Sequence, residues 1–287
     1  MTSPKLAVAA SGYGGRGYRH PINKTLKVPG VTTILKVLDK PAVHQWAVDQ
    51  TSAFAVANID YLLSCTQLQG YNGLRWYWKR TPDLAASELR NFHVGVLNDA
   101  AELGTAVHQW IQVDLGVSDD FYPEVDSPEM EQMVEAWLEF KFEHDITAHW
   151  SERTLWNHTH GYAGTADLLW DIDDQENQLC DIKSARSIWD DHLMQIAALY
   201  NCETELPEVE ENVWEENEFV KPASLSFLHI RPDDVANDGT PIPAYCELVQ
   251  VDMARVPVYF EMFLGALQVA KARRAIKDLD KESKGES

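Results

Sequence analysis

Asp167 and Asp181 stand fourteen residues apart, each inside a short phrase able to do chemistry: Gly164-Thr165-Ala166-Asp167 and Asp181-Ile182-Lys183. Successive side chains of a strand alternate faces, so Asp181 and Lys183 project together while Ile182 turns toward the core. A carboxylate and an ammonium then share one spot. Tyr162 to Trp170 and Leu179 to Ser184 read as strands around a polar, turn-prone stretch, Asp171 to Gln178. Pairing across that hairpin can bring Asp167 to Asp181, an oxygen-rich site suited to Mg²⁺ or Mn²⁺ with a lysine beside it. Phosphodiester hydrolysis is the chemistry such a site serves. An Asp-x-Lys triplet alone is also ordinary on an exposed hairpin face, so other residues must carry the reading.

Two helices would position further groups. Leu97, Ala100, Gly104, Val107, Ile111 and Leu115 recur at helical spacing, with a capping-box-like pair at Asp99 and Glu102 and a stop at Gly116. The spacing predicts a helix over about 100–115, with His108 pointing inward one turn beyond Gly104. Such a histidine serves either as a hydrogen-bonded core residue or as a metal ligand. Glycine inside a helix costs about 1 kcal/mol relative to alanine, which suggests a close backbone approach. After the hairpin, Ile188, His192, Gln195, Ile196 and Leu199 keep helical spacing behind a candidate N-cap at Ser187. An amide on that face needs a partner; near a phosphate or base, Gln195 becomes a substrate contact.

Taken in order, Gly104-Thr-Ala-Val-His108, Gly164-Thr-Ala-Asp167, Asp181-Ile-Lys183-Ser184 and Gln195-Ile-Ala-Ala resemble the RecB-like branch of the PD-(D/E)XK nuclease superfamily. The likeness is to phage-encoded exonucleases related to CRISPR-associated nucleases. Val28-Pro-Gly-Val-Thr-Thr-Ile-Leu35, followed by Pro41 and Trp46, looks like the opening helical segment of those proteins, so the resemblance spans about 28–200. It implies a restriction-endonuclease-like α/β core, a mixed sheet flanked by helices with a helical N-terminal half. By the same resemblance His108, Asp167, Asp181 and the main-chain carbonyl of Ile182 would hold Mg²⁺ or Mn²⁺. Lys183 would orient and help deprotonate the attacking water and offset charge on the phosphate, with Gln195 as a further catalytic and DNA-contacting residue. Glu152, on a strand over about 146–156, matches a position often acidic in the family and stands second to these. The implied activity is DNA exonuclease action at free ends, leaving a 5′-phosphate and a 3′-hydroxyl, in phage recombination, repair or replication. A recombinase or single-strand-binding protein is a possible partner. The competing readings are a non-catalytic DNA-end or recombination-partner binder on the same fold, and a structure-specific endonuclease.

The chain departs from the family pattern twice. A tyrosine usually lies four residues after the glutamine, whereas Tyr200 lies five after Gln195 and Leu199 takes the expected place; a fifth residue is rotated about 100° further round a helix. Cys65, Cys180, Cys202 and Cys246 are scattered, so no iron–sulfur cluster is expected.

With 287 residues, 45% of them hydrophobic, the chain can bury a full core. The expected organisation is a flexible segment over 1–27 and one nuclease domain over 28–280, mainly helical to 145 and sheet-containing from 146. No apolar run is long enough to span a membrane, and unpatterned cysteines fit a reducing cytoplasm, the host's if the protein is phage-encoded. A formal charge of −21 opposes nucleic-acid binding. Much of that acid is local, because residues 203–218 hold eight glutamates and no lysine or arginine, and read as a solvated loop or insertion. Basic residues gather at Arg16, Arg19, Lys24 and Lys27 and again at Lys271, Arg273, Arg274 and Lys277. Local fields, rather than totals, guide a phosphate backbone. Arg186 and the stretch Leu74 to Arg80, with Arg75 and Trp76, are candidate DNA contacts, bases stacking on the aromatic faces.

Helix signals cover most of 31–116, with a break near 70–73 and a start at Thr81-Pro82. Ser127-Pro128 opens a helix to about 143, strands are expected at 224–230 and 245–251, and a last helix over about 256–278.

Overall fold

Ser224–Arg231 is buried at every interior position, the pattern of a strand covered on both faces. It lies inside a seven-stranded sheet. A computed structural model of the protein describes residues 5–10, 13–61, 84–236 and 238–284. The strands among them are β1 Ala7–Ala10, β2 Gly15–Arg19, β3 Lys27–Pro29, β4 Ile146–Asn157, β5 Tyr162–Ile172, β6 Gln175–Lys183, β7 Thr204–Leu206, β8 Glu208–Glu210, β9 Val213–Trp214, β10 Asn217–Glu218, β11 Ser224–Arg231, β12 Asp234–Val235, β13 Pro241–Ile242 and β14 Tyr245–Gln250. The helices are α1 Val31–Leu35, α2 Pro41–Ala57, α3 Leu84–Asp114, α4 Pro128–Glu143, α5 Asp190–Tyr200 and α6 Val256–Lys284. The large sheet runs β10-β7-β4-β5-β6-β11-β14. β6 and β11 are parallel and the other neighbours antiparallel, so the sheet is mixed.

The chain divides into two units, one of Met1–Leu38 with Gly104–Ser287 and one of Asp39–Leu103. In the first, α1, α5 and α6 pack together over β5, while α4 lies against β11 and β14. The shared core includes Ile34, Leu155, Tyr162, Leu199 and Phe263. α4 begins as its sequence directs: Ser127 Oγ accepts the Met130 amide at 3.2 Å, with Pro128 next to the cap. In the second unit, Phe54 of α2 and Phe92 of α3 have ring centroids 4.4 Å apart. No helix among the described residues is long and apolar enough to cross a membrane.

The architecture expected from sequence, a mixed sheet flanked by helices, is the one observed. Several local expectations change. Within 1–27, expected as a flexible segment, the described residues 7–10 and 15–19 form β1 and β2, which pair in the antiparallel sheet β1-β2-β3, and Tyr18 is buried. The glycines there serve geometry: Gly14 takes φ 74 in the turn, and a Cβ on Gly15 would stand 2.5 Å from Thr33 Oγ1. The acidic stretch 203–218 is not a loop, since β7 and β10 extend the edge of the large sheet and Leu206 is buried. Its glutamates find donors, among them Arg153 to Glu205 at 3.0 Å and Lys5 to Glu208. The polar stretch 171–178 is mostly strand, with the reversal at Asp173 and Asp174, where Asp173 takes φ 51. Polar side chains do not stop a hairpin tip from completing its ladder.

Candidate active site

β5 and β6 pair as far as Leu168↔Cys180, with one register shift between Trp170 and Ile172. Beyond that point the Asp167 carboxylate replaces the ladder, its Oδ2 accepting the Ile182 amide at 3.0 Å. Asp181 and Lys183 emerge from β6 to the same side, with Nζ 2.5 Å from Asp181 Oδ2. Gln195 of α5 bridges them: its Nε2 donates to Asp181 Oδ1 at 3.2 Å, and its Oε1 lies 3.5 Å from Lys183 Nζ. From α3, His108 Nδ1 lies 3.6 Å from Asp167 Oδ2. The Ile182 main chain hydrogen-bonds the same ring in the sense that favours its charged form. Asp167, Asp181, Ile182, Lys183, Gln195 and His108, assigned from the sequence, therefore gather at one end of one hairpin.

The helices that deliver these groups differ in detail from expectation. α3 is longer than 100–115, because nothing between Leu84 and Gly104 breaks it, and Leu97 is exposed rather than inward. It stops where expected, with Gly116 at φ 71. Ser187 is not the cap of α5. Trp189 holds that place, and His192, expected beside Gln195, instead accepts the Trp189 amide at Nδ1, 3.2 Å away.

Burial dominates the electrostatics. It pushes the carboxyls of Asp167 and Asp181 up, against the lowering field of Lys183. For Lys183 burial works downward, but the charges of Asp181 and Asp167 outweigh it and the ammonium is held above its ordinary value. His108 is lowered to about 4, chiefly by burial and then by Lys183, so its imidazole is neutral at pH 7.

These groups fit a hard cation. Two carboxyls, Asp181 buried and Asp167 partly so, face one ammonium and a neutral imidazole. Although Lys183 lies against it, the buried Asp181 Oδ2 has no partner in hydrogen-bond geometry. Two carboxylates that share one ammonium and stand beside a neutral imidazole are a donor set suited to a hard divalent cation. The ligand atoms of His108, Asp167 and Asp181 are nonetheless spread more widely than a closed coordination shell. Among the described residues, the group that brings three His, Cys, Asp or Glu ligand atoms within 4.8 Å of one another, and could hold a metal ion, is His20, His158 and Glu216. The sequence reading did not single it out, because its members come from three distant segments.

Glu152 sits where β4 departs from regular pairing, between Ser151↔Leu168 and Arg153↔Ala166, and takes φ 48. Although the residue is exposed, desolvation of its carboxyl, followed by the charge of Asp167, pushes it up to about 7. Gln112 Nε2 donates to its Oε1 at 3.2 Å. Gln112 went unnoticed in the sequence. Its signal was position, four residues after His108 and so on the same face of α3. Tyr18 and Thr165 share a hydroxyl contact of 2.9 Å two residues before Asp167.

Other candidates stand apart. Arg186 reaches Asp234 at 3.7 Å and the Val235 carbonyl at 3.4 Å, on an exposed surface. Arg75, Trp76 and Cys65 lie outside the described residues. Tyr200 turns to Lys221, whose Nζ lies 4.9 Å from the ring centroid, while Leu199 is core. Cys180, Cys202 and Cys246 are free thiols, all raised by burial.

No protein-family model and no curated protein matches the chain. Among solved structures, LHK-Exo in complex with dAMP is similar with a TM-score of 0.30 and 13% identity, over 66% of this chain and 97% of that one.

Proposed function

We propose that this chain is a divalent-metal-dependent deoxyribonuclease of the RecB-like PD-(D/E)XK kind, acting as an exonuclease at DNA ends. One observation carries the reading: Asp167, Asp181, Lys183 and Gln195 meet within hydrogen-bonding and ion-pairing distance at the open end of the β5–β6 hairpin. His108 lies beside them.

Bound Mg²⁺ or Mn²⁺ would polarise a phosphoryl oxygen and lower the pKa of coordinated water. Asp167, Asp181 and neutral His108 are the residues to hold it, with the Ile182 main chain alongside. Gln195 fixes the Asp181 carboxylate through Oδ1, while Oδ2 lies against the Lys183 ammonium, which would have to share that oxygen with the cation. Lys183 stays charged, because the carboxylates hold its proton. Its part is to orient the attacking water by donating to it and to offset charge gathering on the phosphate. Lys183 also helps to deprotonate that water, once a bound cation offsets the carboxylates that hold its proton. Glu152, whose carboxyl is pushed up to about 7 by desolvation and the charge of Asp167, is a second candidate proton acceptor.

The test incubates the purified protein with end-labelled linear DNA and with closed circular DNA, in Mg²⁺, Mn²⁺ or EDTA. Cleavage of the linear form alone, abolished by EDTA and by Asp181→Asn, is the expected result. Equal cutting of circles would make the protein an endonuclease. Full activity of Asp181→Asn would end the assignment.

A further inference from the structure

Away from the hairpin end, three segments distant in sequence bring His20, His158 and Glu216 together. His20 follows β2, His158 follows β4, and Glu216 precedes β10. His158 Nε2 lies 2.7 Å from Glu216 Oε1, and His20 Nε2 lies 3.4 Å from Glu216 Oε2, so the two imidazoles address the two oxygens of one carboxylate. Thr204 Oγ1 stands 3.2 Å from both His158 Nε2 and Glu216 Oε1, a third oxygen at the same spot.

A second observation points to a ligand. The His20 side chain is 3% exposed, and its buried Nε2 has no partner in hydrogen-bond geometry. The ring packs edge-on to Trp156 with centroids 4.9 Å apart, and the Asn23 amide lies 3.2 Å from Nδ1. A buried, oriented nitrogen aimed at a carboxylate and a second imidazole is an unusual thing to leave unsatisfied.

We propose that His20, His158 and Glu216 form a structural site for a borderline transition-metal cation, Zn²⁺ or its Co²⁺ substitute, with Thr204 or a water completing four ligands. Two imidazoles and one carboxylate suit Zn²⁺, whereas the oxygen-rich Asp167–Asp181 site suits Mg²⁺ or Mn²⁺. The two sites therefore differ in the ions they take. Bound there, the cation ties the β1-β2-β3 sheet to the edge strands of the large sheet, both parts of the same unit. Coordination through Nε2 requires the hydrogen of the neutral His20 ring on Nδ1. Binding of the ion therefore exchanges the Asn23 amide contact for coordination.

The experiment uses the full chain carrying Asp167→Asn and Asp181→Asn, stripped with EDTA, so that the outcome is independent of the nuclease reading. Calorimetric titration with Zn²⁺ should show one tight site per chain, absent with Mg²⁺, and Co²⁺ should give the visible absorption of a four-coordinate ion. Glu216→Gln and His158→Gln replace partly exposed side chains by residues of similar reach and should weaken Zn²⁺ binding by about a hundredfold. Circular dichroism confirms that each variant is folded. Zn²⁺ uptake unchanged in both variants, or no uptake in the parent, would overturn the proposal and leave the cluster a hydrogen-bond network.

Discussion

A Cβ built on Gly104 would stand 2.6 Å from the Oγ of Ser184. The helix that carries His108 and the end of the strand that carries Lys183 approach so closely that a methyl group at this point collides with a hydroxyl. The two residues should therefore couple. Gly104→Ala gains helix propensity of about 1 kcal/mol and loses it to the clash, while Ser184→Ala removes the obstructing atom. We expect Gly104→Ala to stabilise the protein more in the Ser184→Ala background than alone, with an interaction energy of about 0.5–3 kcal/mol. Urea unfolding of the four proteins measures it, and strict additivity would contradict the contact.

Lys183 and Asp181 should respond unequally to mutation in cation-free buffer. Lys183→Met strands a carboxylate whose side chain is 2% exposed, and losing one member of a buried pair costs about 3–5 kcal/mol. Asp181→Asn also removes one partner of that pair and leaves one oxygen for two donors, Gln195 and Lys183, but it relieves the repulsion between Asp181 and Asp167, so its cost should be smaller. Both should reduce cleavage by about 10² to 10⁴. Equal destabilisation by the two would show that burial does not govern the site.

Strain at Glu152 can be separated from its chemistry. Its φ of 48 lies in the left-handed region, which costs a residue with a Cβ about 1–2 kcal/mol. Glu152→Ala and Glu152→Gly delete the same carboxylate, so both should slow cleavage. The glycine variant should unfold at higher denaturant by about 1 kcal/mol, the reverse of the usual order within a strand.

His108 gives a pH signature in EDTA. Its unfolded value is 6.5 and its folded value about 4, so between these limits the unfolded chain binds a proton that the folded chain does not. Stability from this group is complete above pH 6.5 and lost as pH falls toward 4, on the order of 3 kcal/mol in all. The raised carboxyls of Asp167 and Asp181 act oppositely, since the folded chain takes up their protons first as pH falls. The informative quantity is therefore the difference between the native protein and His108→Gln, followed by urea unfolding from pH 7 to pH 4. A difference that does not change with pH would contradict the lowered imidazole.

The sequence by itself determined the elements whose cause is local. Alternation marked β4, β5 and β6, Ser127-Pro128 set the start of α4, and the order His108, Asp167, Asp181, Lys183, Gln195 named the residues found together. Two-residue strand geometry and helical spacing are short-range rules, and a short polypeptide segment obeys them wherever it sits. Tertiary structure decided what depends on partners remote along the chain. It turned 203–218 from a solvated loop into sheet edge, because Leu206 found a core and the glutamates found donors such as Arg153. It made Lys183 a standing cation, because the field of two buried carboxylates outweighs the cost of burying the ammonium. It also assembled His20, His158 and Glu216, since a cluster drawn from three separated segments has no period or spacing that the linear chain could display.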